Sequence, residues 1–292
     1  MWQQLLQQII KGNPKALARC ISLVENEAEG YEKFLQQLPL NNSTKIIGIT
    51  GPPGAGKSTL TDALIGELVT DGKVGVLCVD PSSPFNFGSL LGDRIRMSEW
   101  YNNPNVFIRS LATRGSLGGL HPKIIEITDV MKALGFDHII IETVGVGQSE
   151  VEIAGLADVT VVVLVPEGGD VIQTMKAGLM EIADIFVVNK SDRPDAETFV
   201  NNLKMMLAPA FKNCNIPIVK TVASEKKGII ELKEEIVKFK EKESGERKYM
   251  MLAEKAWHLI QNKKMKGVSK EELLQLLKKE PGINLYNLIE KY

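Results

Sequence analysis

Between Lys45 and about residue 240, short Val/Ile-rich runs alternate with longer stretches whose apolar residues recur at helical spacing. The runs are Ile46–Thr50, Val74–Asp80, Val106–Arg109, His138–Glu142, Thr160–Val165, Ile185–Asn189 and Ile216–Thr221. They show little polar alternation, as expected of strands buried on both faces. Helical stretches between them predict a mainly parallel sheet with helices on both sides, an α/β fold whose ligands sit beyond the carboxyl ends of the strands. The flanking segments read differently. Residues 1–40 read as helical, with Asn13 as a cap, Pro14 at the first helical position, and Leu17, Ile21, Val24 and Ala28 at helical spacing. Asn41-Asn42-Ser43 forms a polar break. From residue 241 the chain is first charged, over Glu241–Lys248, then amphipathic. Met251, Leu252, Ala256, Leu259 and Ile260 share a helical face, and Ser269 with Glu272 forms a capping box ahead of Leu273, Leu274 and Leu277. The expected organisation is an N-terminal helical extension (1–42), a central α/β domain (43–240) and a C-terminal helical arm (241–292).

Composition narrows the classes. The 292 residues carry 35 Lys plus Arg against 36 Asp plus Glu, so the cationic surplus that nucleic-acid binding requires is missing. Cys20, Cys78 and Cys214 are widely spaced and include no C-x-x-C pair, which reads as reduced thiols acting as small buried hydrophobes. No apolar run reaches the roughly 18–20 residues that span a bilayer. The first residues lack both a basic n-region and an Arg/Ser-rich transit pattern. A soluble cytoplasmic protein, bound to neither membrane nor nucleic acid, is expected.

The first chemistry lies where the first strand ends. Gly51-Pro52-Pro53-Gly54-Ala55-Gly56-Lys57-Ser58 fits G-x-x-x-x-G-K-[ST], between the strand and a helix predicted over Thr59–Leu68. The glycines let backbone N–H groups turn toward phosphate oxygens, and the helix N-terminus adds partial positive charge. Lys57 is placed to reach β- and γ-phosphates and the Ser58 hydroxyl to ligate Mg²⁺, with Thr59 completing the loop. The sixth strand ends in Asn189-Lys190-Ser191-Asp192, an N-K-x-D pattern. Guanine presents N1–H and N2–H₂ as a donor pair that a carboxylate accepts and adenine does not offer, so Asp192 selects GTP. A mismatched base would leave a buried carboxylate unpaired. Lys190 can lay its stem along the purine, and Asn189 can tie this loop to the phosphate loop. Together the two motifs predict a P-loop GTPase.

Acidic residues fall at neighbouring strand tips. Asp80 ends the second strand and Glu142 the fourth, each placed to hold Mg²⁺ directly or through water. Asp80 before Pro81 also suits a turn. Asp93 is a further candidate and also suits a surface charge paired with Arg94 or Arg96. After Glu142, Gly145 can approach the γ-phosphate with its N–H in a loop that relaxes on hydrolysis. Ala112–Gly119 is a second Gly-rich loop whose Arg114 can meet phosphate or a partner, or simply belong to a connection.

These residues resemble the MeaB/ArgK group, the methylmalonyl-CoA mutase-associated GTPases once described as lysine/arginine/ornithine transport ATPases. The resemblance runs through Ala16–Arg19, Ile21–Asn26, the phosphate loop, Asp80–Pro84, Leu90–Met97, Ala112–Gly119, Glu142–Gln148 and Asn189–Asp192. Glu at position 142 is distinctive, since most GTPases carry Asp there. The resemblance implies a chaperone that uses GTP to gate adenosylcobalamin loading and protection of an acyl-CoA mutase. Ser58 and Asp93 would sit near Mg²⁺, and Glu142 would be the switch acid. Pro166–Gly178 would be an extra switch, and the C-terminal helices a homodimer arm. Two departures stand out. Gly168-Gly169-Asp170-Val171 replaces the family's usual Asp-Glu after the glycines, and Val222-Ala223-Ser224 replaces its Ser-Ala base contact, so that only a backbone N–H at Ala223 would serve.

In-line attack of water on the γ-phosphate is expected, with Lys57, Mg²⁺ and loop N–H groups stabilising the developing charge. Gln148 and Arg114 are candidates to assist. A metal-insertion GTPase and a P-loop kinase acting on a small molecule remain as alternatives. The former would favour a Cys/His cluster that the sequence does not display, His121 and His138 being far apart. Asp192 argues against the latter. Trp257 and Leu273 read as packing residues of the terminal helices.

Overall fold

Strand β1 (Lys45–Thr50) lies at the centre of a seven-stranded sheet. The computed structural model describes residues 1–39, 41, 43–80, 97–113, 120–144, 148–166, 177–210, 216–239, 245–290 and 292. The other strands are β2 (Val74–Asp80), β3 (Val106–Ala112), β4 (His138–Glu142), β5 (Val159–Leu164), β6 (Ile185–Val188) and β7 (Ile218–Lys220). They pair in the order β3-β2-β4-β1-β5-β6-β7, and every pairing is parallel. Strand β1 thus sits between β4 and β5, where the winding reverses, and its carboxyl end opens into the crevice in which such sheets bind ligands.

The strands follow the apolar runs closely because burial on both faces leaves a strand little choice of register. Strand β1 begins one residue earlier than expected, β3 extends three residues further, and β7 is trimmed at both ends. Alternate side chains enter different cores. Ile46, Leu77, Val79, Ile139 and Ile141 pack on one face with helices α1 (Trp2–Ile10), α2 (Pro14–Glu25), α3 (Tyr31–Leu35) and α5 (Ile124–Leu134). Ile47, Ile49, Val74, Val76 and Ile140 pack on the other with α4 (Lys57–Leu68) and α8 (Ile229–Lys238). A third cluster joins Val162, Leu164, Phe186 and Val188 to α7 (Ala196–Ala210), which follows the short α6 (Ala177–Ile182).

The N-terminal helices belong to this packing. Leu17, Ile21 and Val24 are fully buried in the same cluster as the sheet residues, while Ala28 lies past the end of α2. Asn13 caps α2, its Oδ1 accepting from the Lys15 and Ala16 amides. Glu25 at the end of α2 pairs with Arg109 on β3. Cys20 and Cys78 are free and buried, and burial pushes the Cys20 thiol up to about 12. Cys214 lies outside the described residues. At the base of β1, Lys45 Nζ donates to the Ile236 and Phe239 carbonyls at 2.5 and 2.9 Å, closing the C-terminus of α8.

The chain divides into two compact units, Met1–Glu243 and Ser244–Tyr292. The second contains α9 (Gly245–Lys264), α10 (Lys270–Lys279) and α11 (Leu285–Ile289). Ser269 Oγ accepts from the Glu272 amide at 3.2 Å and so caps α10. Leu252, Leu259 and Ile260 of α9 are exposed.

Candidate functional site

The loop after β1 has a backbone that only glycine adopts with ease. Gly51, Gly54 and Gly56 have φ of 142°, 75° and 85°. A Cβ on Gly51 would collide with the Val163 carbonyl oxygen, and one on Gly56 with Asn189 Nδ2. Glycine therefore serves twice, giving the loop its curvature and letting it lie against β5 and the loop after β6. Pro52 and Pro53 hold the outer limb of the loop, and Ala55 is buried at its base.

Helix α4 begins at Lys57 itself, two residues before the expected start, with Thr59 in its first turn. This directs the first-turn amides toward the loop's concavity. Lys57 is buried, and its Nζ donates to the Gly51 and Pro52 carbonyls at 2.9 and 3.2 Å. Phosphate oxygens would offer this ammonium charge-assisted bonds stronger than those to the two carbonyls.

Beside the loop, Glu142 at the tip of β4 is 4% exposed. Its Oε1 accepts from Ser58 Oγ at 2.6 Å and its Oε2 from Thr61 Oγ1 at 3.0 Å. Thr143, the next residue, donates through Oγ1 to Thr50 Oγ1 at 2.9 Å and through its amide to the Ile49 carbonyl at 3.0 Å, fastening the end of β4 to the root of the loop. Asp80 is buried at the end of β2, two residues past Cys78, whose rung pairs with Glu142. Ser58, Glu142 and Asp80 present oxygen donors of the kind Mg²⁺ prefers. Among the described residues no group of three or more His, Cys, Asp or Glu gathers into a metal site.

The second loop is organised by Asn189, 3% exposed. Its Nδ2 donates to the Ala55 carbonyl at 2.9 Å, and its Oδ1 accepts from Thr221 Oγ1 and the Ala223 amide, both at 3.1 Å. One side chain therefore joins the phosphate loop, the loop after β6 and the loop after β7. The Ala223 N–H, expected to face the base, donates to Asn189 because a buried amide oxygen needs donors. Lys190 adopts a left-handed conformation with φ of 55°. Asp192 follows on the rim and is exposed, so its burial requires a bound base. Asn189→Ala orphans three polar groups in the interior. We expect a loss of about 3 kcal/mol or more, read as a Tm lower by roughly 6 °C or more at this chain length. An unchanged Tm would show that the three loops are held otherwise.

Asp93, Arg114 and Gly145 lie outside the described residues, as do positions 167–176 of the expected extra switch and the side chain of Gln148. The sequence reading missed Thr61 and Thr221. A buried threonine in a helix or at a strand end carries no motif, and only the fold shows which carboxylate or amide its hydroxyl meets. His121 is buried, with Nδ1 accepting from the Lys123 amide at 3.0 Å.

The glycine-rich loop after β1, the N-K-x-D turn after β6 and Glu142 at the tip of β4, the neighbour of β1 on its other side, lie at the carboxyl ends of one sheet. Residues 17–280 match the family described as Methylmalonyl Co-A mutase-associated GTPase MeaB. The chain belongs to the MeaB family of GTPases. A Pyrococcus abyssi protein named as a putative GTPase is 50% identical to this MeaB-family chain over 248 residues, 82% of this chain and 76% of the relative. The Escherichia coli GTPase ArgK is 36% identical over 247 residues, 80% and 75% of the two chains. The Geobacillus kaustophilus fused isobutyryl-CoA mutase is 41% identical over 204 residues, which are 66% of this chain and 19% of that protein. Among solved structures, an LAO/AO transport system kinase superposes with a TM-score of 0.69 at 28% identity, covering 96% of this chain and 87% of its own. Nickel-bound HypB from Helicobacter pylori shares the fold alone, with a TM-score of 0.50 at 20% identity over 74% of this chain and 93% of its own. The MeaB-family chain is accordingly a guanine-nucleotide-binding enzyme that hydrolyses GTP, built on the P-loop fold. Among the described residues no helix is long and apolar enough to cross a membrane.

Proposed function

We propose that this GTPase is a chaperone of an adenosylcobalamin-dependent acyl-CoA mutase, and that its nucleotide state gates cofactor loading and protection of that enzyme. The supporting observation is the fused relative, in which a segment 41% identical to this chain forms part of a longer polypeptide named as an isobutyryl-CoA mutase. Covalent linkage raises effective concentration and is favourable where two activities must meet repeatedly. A separate GTPase of the same family must achieve that meeting through its own surface.

In this reading Lys57 exchanges the Gly51 and Pro52 carbonyls for β- and γ-phosphate oxygens and stabilises charge as water attacks in line. Ser58, Glu142, Asp80 and Asp93 are the residues that would hold Mg²⁺, directly or through water, and the cation supplies charge neutralisation on the phosphates when bound. Asp192 accepts from the guanine edge, while Lys190 covers the purine. Gly145 follows Glu142 closely in sequence and senses the γ-phosphate through its N–H, which makes the segment after Glu142 the element that reports nucleotide state, while Gln148 assists the attacking water. The C-terminal helices pair two copies. Tyr249, Met250, Leu252, Trp257, Ile260 and Leu274 are all at least half exposed there, more apolar surface than isolated helices usually leave in water.

The test combines the purified chain with the acyl-CoA mutase of the same cell. We expect binding that differs between GDP and a non-hydrolysable GTP analogue, a GTPase rate raised about tenfold or more when the partner orders the switch loops, and a light-scattering mass containing two copies of this chain. Equal binding in both nucleotide states with no stimulation would overturn the chaperone reading. A monomer would overturn the pairing.

A further inference from the structure

Helix α4 presents two hydroxyls to one carboxylate. Ser58 and Thr61 lie three residues apart and so share a face of the helix, and each donates to a different oxygen of Glu142, at 2.6 and 3.0 Å. Thr61 is fully buried and Glu142 nearly so. A helical threonine ordinarily returns its hydroxyl to the carbonyl one turn back. Thr128 does so in α5, donating to the Ile124 carbonyl at 2.6 Å. The Thr61 hydroxyl is committed instead to Glu142.

We propose that Thr61 is a positioning residue for the cation site: it fixes the plane of the Glu142 carboxylate so that the opposite oxygen stays on Ser58. Glutamate has one more rotatable bond than aspartate, and its terminal torsion is broad. A carboxylate held through one oxygen keeps more freedom to turn than one held through both. Here each oxygen accepts from the same rigid helix, which restrains that turn. The Ser58 proton is then directed to Glu142, and the lone pairs of the Ser58 oxygen remain available as a ligand. Thr61 thus works on the cation through Glu142 and Ser58, without touching it. This inference rests on the reading of Ser58 and Glu142 as the Mg²⁺ site.

The experiment measures the dissociation rate of a fluorescent GDP with Mg²⁺ and with EDTA, alongside Tm, for the wild type, Thr61→Val, Thr61→Ala and Thr61→Ser. In the wild type Mg²⁺ slows release strongly. Thr61→Val keeps the shape but removes the Thr61 hydroxyl bond to the buried carboxylate, and loss of a bond to a charged group weakens the Mg²⁺ effect by about tenfold. The rate in EDTA stays within about twofold of wild type, because the loop–phosphate contacts are retained. Thr61→Ala behaves as Thr61→Val, and Thr61→Ser restores the Mg²⁺ effect. If the wild type shows no Mg²⁺ effect, the cation reading fails and this inference with it. If Mg²⁺ slows release equally in wild type, Thr61→Val and Thr61→Ala, or if Thr61→Ser is as defective as they are, the cation reading stands and the role of Thr61 is overturned.

Discussion

Asp192→Asn is expected to weaken GTP binding by about 100-fold or more and to shift preference toward xanthosine triphosphate. The carboxylate stands on the turn after β6, held by the Ser191 amide on the Thr221 carbonyl at 3.0 Å and the Arg193 amide on the Lys190 carbonyl at 3.2 Å. Guanine offers two donors to this acceptor pair. Asparagine turns one acceptor into a donor, which faces the guanine amino group but complements the carbonyl that xanthine carries at that position. Hydrogen bonds to a charged group contribute about 1.5–3 kcal/mol each, so replacing the bond to the amino group by a donor–donor clash and weakening the remaining bond to that of a neutral acceptor together amount to about two powers of ten. Direct titration of the wild type and the variant with fluorescent GTP and xanthosine triphosphate analogues reads both changes. An Asp192→Asn variant with wild-type affinity for GTP would show that this residue does not read the base.

Lys57→Ala is the second large effect. The ammonium is the buried cation of the phosphate loop and sits between two carbonyls that bind it only as neutral acceptors. Its strongest interactions arise when negative charge develops on the transferring phosphoryl group. Removing one preorganised donor from such a site costs about 10²–10³ in kcat. Single-turnover hydrolysis at saturating GTP isolates that step from binding. The fold should survive, since α4 is anchored by Leu60, Leu64, Ile65 and Leu68, all fully buried. A kcat within a few-fold of wild type would place the charge stabilisation elsewhere.

Much of the site was legible because its parts are local. A glycine with positive φ before Lys57 belongs to a loop whose shape is set by the residues of the loop itself, and Asn189 and Asp192 follow a strand whose Val/Ile run is unmistakable. Glu142 was visible for a related reason, a carboxylate ending an apolar strand. The partners of these residues were not legible. Thr61 is 81 positions from Glu142, and Ala55 is 134 from Asn189. Nothing in local propensity specifies pairs so far apart. The sequence also read Asp192 as a buried carboxylate, whereas it is exposed in the structure.

The sequence by itself determined the elements, their parallel pairing and the places of the glycine-rich loop, the N-K-x-D turn and the carboxylate ending β4, because periodicity and backbone permissiveness act over a few residues at a time. The tertiary structure decided the strand order that puts β1 between β4 and β5, the burial of the N-terminal helices against the sheet, and the hydrogen bonds that join three loops through Asn189 and one helix to Glu142. Those depend on which surfaces exclude water together, and only a closed core selects among the many partners that the same residue types would accept.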